Sequence, residues 1–357
     1  MAGFHRVLVL ALVAGALAGC ASNLPELPPA PMGSPAPPPD RTEAHEGLSI
    51  SASSQPAPPQ LASVEIPASA HPSSPNTLRV GPGEKYPRPS AAAVAASTGD
   101  TIIITAGHYT DCAVWKAGGI TIAGEGEVVI GGTVCGGKGL FVVDGDNTSV
   151  RGITFSGAHS ADGNGAGIRG EALNLTVENS VFLGNENGIL ATTAQSGTVI
   201  IRNSRFEGNG SCTQSCAHGI YIGHVALLRV ENSVFRKQHS GHHIKSRALR
   251  TELVGNTLED GPDGDASYLV DIPNGGALSM TRNTMQKGPR ASNPDIAISI
   301  GEEGANNPTP EIVLEDNSFV NDLPHRVIFV RNLTGTTPKL TRNNFSGRVV
   351  PAGSPGA

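Results

Sequence analysis

The chain has 357 residues, of which 45 are Gly and 27 Pro, a content that excludes a helical bundle because both residues are costly in helix interiors. Gly follows no three-residue period, which excludes collagen. Charged residues make up 16% of the chain, the formal net charge is -6, and no long basic run occurs. That balance argues against a general nucleic-acid binder. Fourteen of the prolines fall in Ala21–Pro75, so the foldable part begins near residue 76.

At the N-terminus, His5 and Arg6 precede an apolar run, Val7–Ala18, that is too short to span a bilayer and has the form of a signal-peptide core. It ends in Leu17-Ala18-Gly19-Cys20. This resembles a bacterial lipobox, which implies removal of residues 1–19 and lipidation of Cys20. Ala21, in place of Asp, implies the outer membrane of the cell envelope. Residues 20–75 then form a lipid-anchored tether, kept extended by Pro28-Pro29 and Pro37-Pro38-Pro39. The remaining cysteines, Cys112, Cys135, Cys212 and Cys216, are even in number, as expected in an oxidising compartment. Cys112–Cys135 and Cys212–Cys216 are the expected pairs. A zinc site is the alternative, although no CxxC occurs.

From residue 147 a unit recurs: a short apolar strand, an Asn/Ser turn, then Phe, Leu or Met. Examples are Glu178-Asn-Ser-Val-Phe182, Arg202-Asn-Ser-Arg-Phe206, Glu231-Asn-Ser-Val-Phe235 and Asp316-Asn-Ser-Phe319. The anchors 155, 182, 206, 235, 258, 285, 319 and 345 are 23 to 34 residues apart. Such a period implies a solenoid. Leu is too sparse for leucine-rich repeats. The predicted fold is all-β: one right-handed parallel β-helix over 76–347, with Asn at the turns bonding to the coils above and below. Residues 348–357 are expected to be a flexible tail.

The start of the domain reads as strand, short helix and strand: Asn76–Val80, Ser90–Ala96 and Gly99–Thr105. The helix would cap the first coil and protect its bare strand edge. With the Ala106-Gly-His-Tyr109 turn, this region resembles the start of pectate-lyase-like β-helix proteins. The resemblance implies the fold but not the reaction, because this fold hosts lyases, hydrolases, epimerases and non-catalytic proteins.

Gly188-Ile-Leu190, Gly219-Ile-Tyr221, His243-Ile-Lys245, Leu269-Val-Asp271, Ala297-Ile-Ser299 and Val327-Ile-Phe329 set a register. If each Ile or Val points inward, the next residue points outward. One outward column then reads Arg169, Leu190, Tyr221, Lys245, Asp271, Ser299 and Phe329. Positions two residues away add His243 and Arg247, and His218, His242 and Tyr268 lie at the strand entrances. The segment Arg236–Arg250 holds five Lys or Arg and three His and no acid. Its bland reading is a solvated basic face. Its sharper reading is an anion-binding surface for uronate carboxylates.

Proton abstraction beside a uronate carboxylate needs a base, a carboxylate neutraliser and, for elimination, an acid. Lys245 or His243 is the candidate base, Arg247 or Arg169 the neutraliser, and Tyr221 or His218 the acid. Ile244-Lys245-Ser246 resembles the strand Lys-Ser of chondroitinase-B-like and alginate-lyase β-helix enzymes, whose Lys acts as base. Tyr268-Leu-Val-Asp271-Ile-Pro273 resembles the Tyr-x-x-Asp-Pro-His of mannuronan epimerases, with one residue inserted and Asn274 in place of His. The expected substrate contacts are Arg169, His218, His242, Tyr268 and Asn274. Glu302 and Glu303 read as loop carboxylates. Asp271 has no carboxylate partner in its column, which ranks a glycoside hydrolase below proton abstraction. A non-catalytic carbohydrate-binding or envelope structural protein remains the alternative. No cofactor or metal site is expected, with calcium left open by the acidic turns. The expected partner is an acidic polysaccharide, with membrane contact through the lipid alone, no nucleic acid, and a monomeric state.

Overall fold

The computed structural model describes residues 75–191, 196–213 and 215–353. The expected signal segment (1–19), Cys20 and residues 21–74 of the expected tether lie outside them. The described residues form a right-handed parallel β-helix. Each complete coil gives one strand to a ten-stranded parallel sheet and two to a nineteen-stranded one. A representative coil runs His242–Ser246, Arg250–Val254 and Thr257–Glu259, and the next begins at Tyr268.

The repeated Asn-Ser turn explains how the coils stack. Its first residue takes a left-handed backbone, as at Asn179 (φ 49°), Asn203 (φ 49°), Asn232 (φ 48°) and Asp316 (φ 55°). Asn and Asp tolerate this conformation better than most residues. The second residue forms a buried ladder. Asn256 Nδ2 donates to Asn283 Oδ1 (3.0 Å), Asn283 Nδ2 to Asn317 Oδ1 (2.9 Å), and Asn317 Nδ2 to Asn343 Oδ1 (2.9 Å). The other Nδ2 protons go to main-chain carbonyls of Val230, Leu253 and Met280. Buried polar groups are thereby satisfied coil to coil. Beside them Phe155, Phe182, Phe206 and Phe235 stack at 5.2, 4.6 and 4.5 Å.

At the N-terminal end the helix Pro89–Ala95 starts on Pro, whose missing N–H costs nothing there. Pro89, Ala92 and Ala93 are its buried face. Two expectations change. The Ala106–Tyr109 segment is not a turn but part of the strand Thr101–Thr110, which absorbs a register shift between Thr105 and Gly107. The residues expected to begin the flexible tail instead form the strand Val349–Gly353, paired with Val327–Asn332. Main-chain pairing extends the domain to the last described residues. Both expected disulfides are present, Cys112–Cys135 and Cys212–Cys216. They mark an oxidising, extracytoplasmic compartment.

Candidate functional site

The ten-stranded sheet sets the outward column by main-chain pairing. Arg169 lies beside Leu190, Leu190 beside Tyr221, Tyr221 beside Lys245, Lys245 beside Asp271, and Asp271 beside Ser299. The next neighbour of Ser299 is Arg331, not Phe329. Phe329 is fully buried between Phe319 and Phe345, because Val330, rather than Ile328, continues the inward row above Ile298.

His243 also departs from simple alternation. It is fully buried, and its Nε2 lies 2.7 Å from Asp260 Oδ1. The strand is entered through an inward row, Leu269, Ala297 and Phe329, all fully buried, and His243 occupies this row. It therefore cannot touch a ligand in the cleft and drops out as a base. Asp260 also accepts the Gly288 N–H (2.9 Å). Burial lowers the nearby Lys287 pKa to about 8, opposed by Asp260.

The strand entrances carry an aromatic stack on the outer face. His218 and His242 lie 4.7 Å apart, and His242 and Tyr268 4.9 Å, each pair 20° from parallel. The main chain fixes both rings. The His242 N–H donates to His218 Nδ1 (3.0 Å), and the Tyr268 N–H to His242 Nδ1 (3.2 Å). Burial, reinforced by Lys245 and Arg247, lowers the His218 pKa to about 3. Burial, then His218 and Lys245, holds His242 well below the ordinary histidine range. Both rings are neutral at pH 7. With Nδ1 accepting, each carries its proton on Nε2 and acts as a donor. His242 Nε2 faces Asp271 Oδ2 at 3.4 Å.

Around Lys245 the charges converge. Its Nζ is 3.4 Å from Asp271 Oδ2 and 2.8 Å from Glu303 Oε1. Arg247 Nε donates to the Tyr221 hydroxyl oxygen (2.9 Å), its Nη1 to Asn274 Oδ1, and its Nη2 to Glu303 Oε2 (2.5 Å). Both cations flank the Tyr221 ring at 5.6 Å. Asp271 is only 3% exposed, and its Oδ1 is buried without a partner. Burial raises its pKa to about 6 against the pull of Lys245. For Glu303, burial is outweighed by the hydrogen bonds from Lys245 and Arg247, and its carboxyl sits below the ordinary range.

Tyr221, Lys245, Arg247, Asp271, His218, His242, Tyr268 and Asn274 are thus brought together. Arg169 is not. It stands two coils below Lys245's neighbour Tyr221, with Nε 3.2 Å from Glu171. Glu302 and Glu303 are the residues that sequence reasoning missed. Glu302 accepts from Tyr268 (2.8 Å) and Ser299 (2.7 Å) and pairs with Arg331 (3.4 Å). Burial raises the Tyr268 pKa to about 12, and the Glu302 hydrogen bond adds to it. The sequence hint was two adjacent acids directly after a strand of the site sheet. A cleft of about 640 Å³ adjoins this cluster, lined by His218, Tyr221, His242 and Lys245 and by Cys212, Ser215 and Cys216. That volume suits a small ligand or a short stretch of polymer.

Residues 94–270 match the family described as periplasmic copper-binding protein (NosD). No curated protein matches. Among solved structures, the chain is similar to a pectin methylesterase from Aspergillus niger, at 14% identity and TM-score 0.42, covering 79% of this chain and 86% of that one. It is similar to an alginate lyase from Paenibacillus at 17% identity and TM-score 0.40, covering 77% and 99%. It is also similar to a mannuronan C-5 epimerase module from Azotobacter vinelandii at 12% identity and TM-score 0.33, covering 75% and 93%.

The cleft does not suit a copper ion. Among the described residues no three His, Cys, Asp or Glu side chains are grouped to hold a metal. His218 and His242 have committed Nδ1 to main-chain N–H groups, and Cys212 and Cys216 are oxidised.

Proposed function

We propose that this cleft takes an acidic polysaccharide and transfers a proton at a uronate carbon, as a lyase or a C5-epimerase does. The observation that carries the reading is the contact of Tyr221, Lys245 and Asp271 on one outward column, with Arg247 on the Tyr221 oxygen. Lys245, held between two carboxylates, serves as a cation and not as the base. With Arg247 it neutralises the substrate carboxylate as charge builds at the neighbouring carbon. Because Arg247 donates to the Tyr221 oxygen, the phenol's own proton is free to be given to a departing oxygen. Asp271 is the proton acceptor, since a carboxylate raised to about 6 suits proton transfer near neutral pH. His218 and His242 supply donors along the sugar path. By the lipobox resemblance, the protein is held in the envelope through Cys20, facing the polymers of that compartment.

A second reading, recognition without turnover, is favoured by one observation. Lys245 and Arg247 already share the carboxylate of Glu303. Incubation with alginate, pectate and glycosaminoglycans separates the two. A lyase produces unsaturated ends that absorb in the ultraviolet, and an epimerase exchanges the C5 hydrogen with solvent. Reducing ends alone would mean a hydrolase. Retention of a polymer with none of these changes would overturn turnover and leave recognition.

A further inference from the structure

Glu303 occupies the place that a ligand's carboxylate would take. Its two oxygens are divided between Lys245 Nζ (2.8 Å) and Arg247 Nη2 (2.5 Å). Its side chain is 45% exposed, whereas those of Lys245 and Arg247 are 12% and 17% exposed. A surface carboxylate therefore covers two cations that the sheet holds nearly buried. The loop around it is anchored without that carboxylate. The Glu303 N–H donates to the Pro273 carbonyl (2.9 Å), and Asn307 N–H to the Asn274 carbonyl (2.9 Å). Next door, Glu302 is tied to Ser299 and Tyr268. Rotation of the Glu303 side chain alone would bare the cations, with no movement of the backbone.

Resting on the proposed function, we infer that Lys245 and Arg247 form a carboxylate subsite for one uronate unit, and that Glu303 is its built-in competitor. With Glu303 in place, Lys245 and Arg247 face Glu303 and Asp271, and the formal charge of the cluster is balanced. A neutral sugar cannot displace a carboxylate from two cations. A uronate exchanges one carboxylate for another at little electrostatic cost. Glu303 thus selects charged units over neutral ones, a repulsive element that complements the attraction of the cations.

The experiment compares the parent protein, Glu303→Gln and Glu303→Gln/Lys245→Met by calorimetric titration, after thermal melts confirm folding. Oligogalacturonate, oligomannuronate and oligoguluronate are the probes. Methyl-esterified oligogalacturonate, which keeps the sugar and loses the charge, is the control. Glu303→Gln should bind at least one acidic oligomer about two- to fivefold more tightly, the scale of one partly exposed ion pair. The ester should show no gain, and adding Lys245→Met should abolish it. Absence of any gain, failure of all probes to bind, or an equal gain with the ester would overturn the subsite. If the parent binds acid and ester alike while the gain in Glu303→Gln is confined to the acid, the acidic-substrate reading fails and the subsite stands.

Discussion

The two sheets of this solenoid carry similar charges to different ends. On the nineteen-stranded sheet, Arg202 pairs with Glu178 and Glu231, and Arg229 with Glu231 and Glu252, in a ladder that climbs coil by coil. The arginines there are 38% and 41% exposed, and each carboxylate has a partner above or below. On the ten-stranded sheet, the Lys245 side chain is 12% exposed and that of Asp271 4%, and an oxygen of Asp271 is left over. The first arrangement is a solvated ladder of weak pairs. The second keeps charge out of water without fully satisfying it, which is what shifts protonation and marks functional sites. Burial, and not the number of charges, separates a decorated surface from a site.

The largest test concerns the direction of the site strand. Ile244 is fully buried beside the outward Lys245. Ile244→Asp places an unpaired carboxylate in the core and should cost several kcal/mol, enough to abolish cooperative unfolding. Lys245→Met should stay folded, because Asp271 becomes protonated more readily and Glu303 keeps Arg247. Urea titrations followed by circular dichroism check both. A folded Ile244→Asp would mean that the face of the strand is inverted.

How much of this could be read from the chain follows from the range of each interaction. The Asn-Ser-x-Phe spacing shows the coil because each ladder bond joins equivalent positions of successive repeats. Tyr221, Lys245, Asp271 and Ser299 were legible as a column for the same reason. His243 and Phe329 were misplaced because alternation assumes a regular strand, and these strands begin with neighbouring inward residues. Glu303 was out of reach by pattern alone. It meets Lys245 and Arg247 from 58 and 56 positions away in the chain, through a loop outside the repeat.

The next test uses the unequal burial directly. Asp271 is raised from an ordinary 3.8 to about 6, so folding favours its protonated form. Its contribution is fully favourable below pH ~4. It is then lost as pH rises to about 6, leaving a penalty of up to roughly 3 kcal/mol at neutral pH. Asp271→Asn should therefore be more stable than the parent at pH 7 and about equal at pH 4. His218 runs the other way. With its pKa lowered to about 3, it favours folding above the ordinary 6.5 and loses that contribution as pH falls. The difference between parent and Asp271→Asn cancels the His218 contribution and isolates Asp271. Turnover by Asp271→Asn should drop roughly 10²–10⁴-fold if Asp271 accepts the proton. Equal stability at both pH values would show that the carboxylate is better solvated than its burial implies.

The smallest effect belongs to the exposed ladder and decides whether burial is the right discriminator. Arg229 lies 2.5 Å from Glu231 and 3.3 Å from Glu252, a closer pair of contacts than the 2.8 Å and 3.4 Å that separate Lys245 from Glu303 and Asp271. If distance ruled, Arg229→Ala would cost more than Lys245→Ala. If solvation rules, Arg229→Ala should cost under about 1 kcal/mol, since water and salt take the arginine's place on two partly exposed carboxylates. The cost should shrink further as sodium chloride is raised from roughly 0.01 to 0.5 M, because the screening length then falls well below 10 Å. Lys245→Ala leaves a nearly buried Asp271 without its cation, so its effect should persist at high salt. Denaturation of both variants at the two ionic strengths gives the answer. A salt-insensitive Arg229→Ala that costs more than Lys245→Ala would make the ladder the stronger structural element, and burial would no longer explain why the site lies on the other sheet.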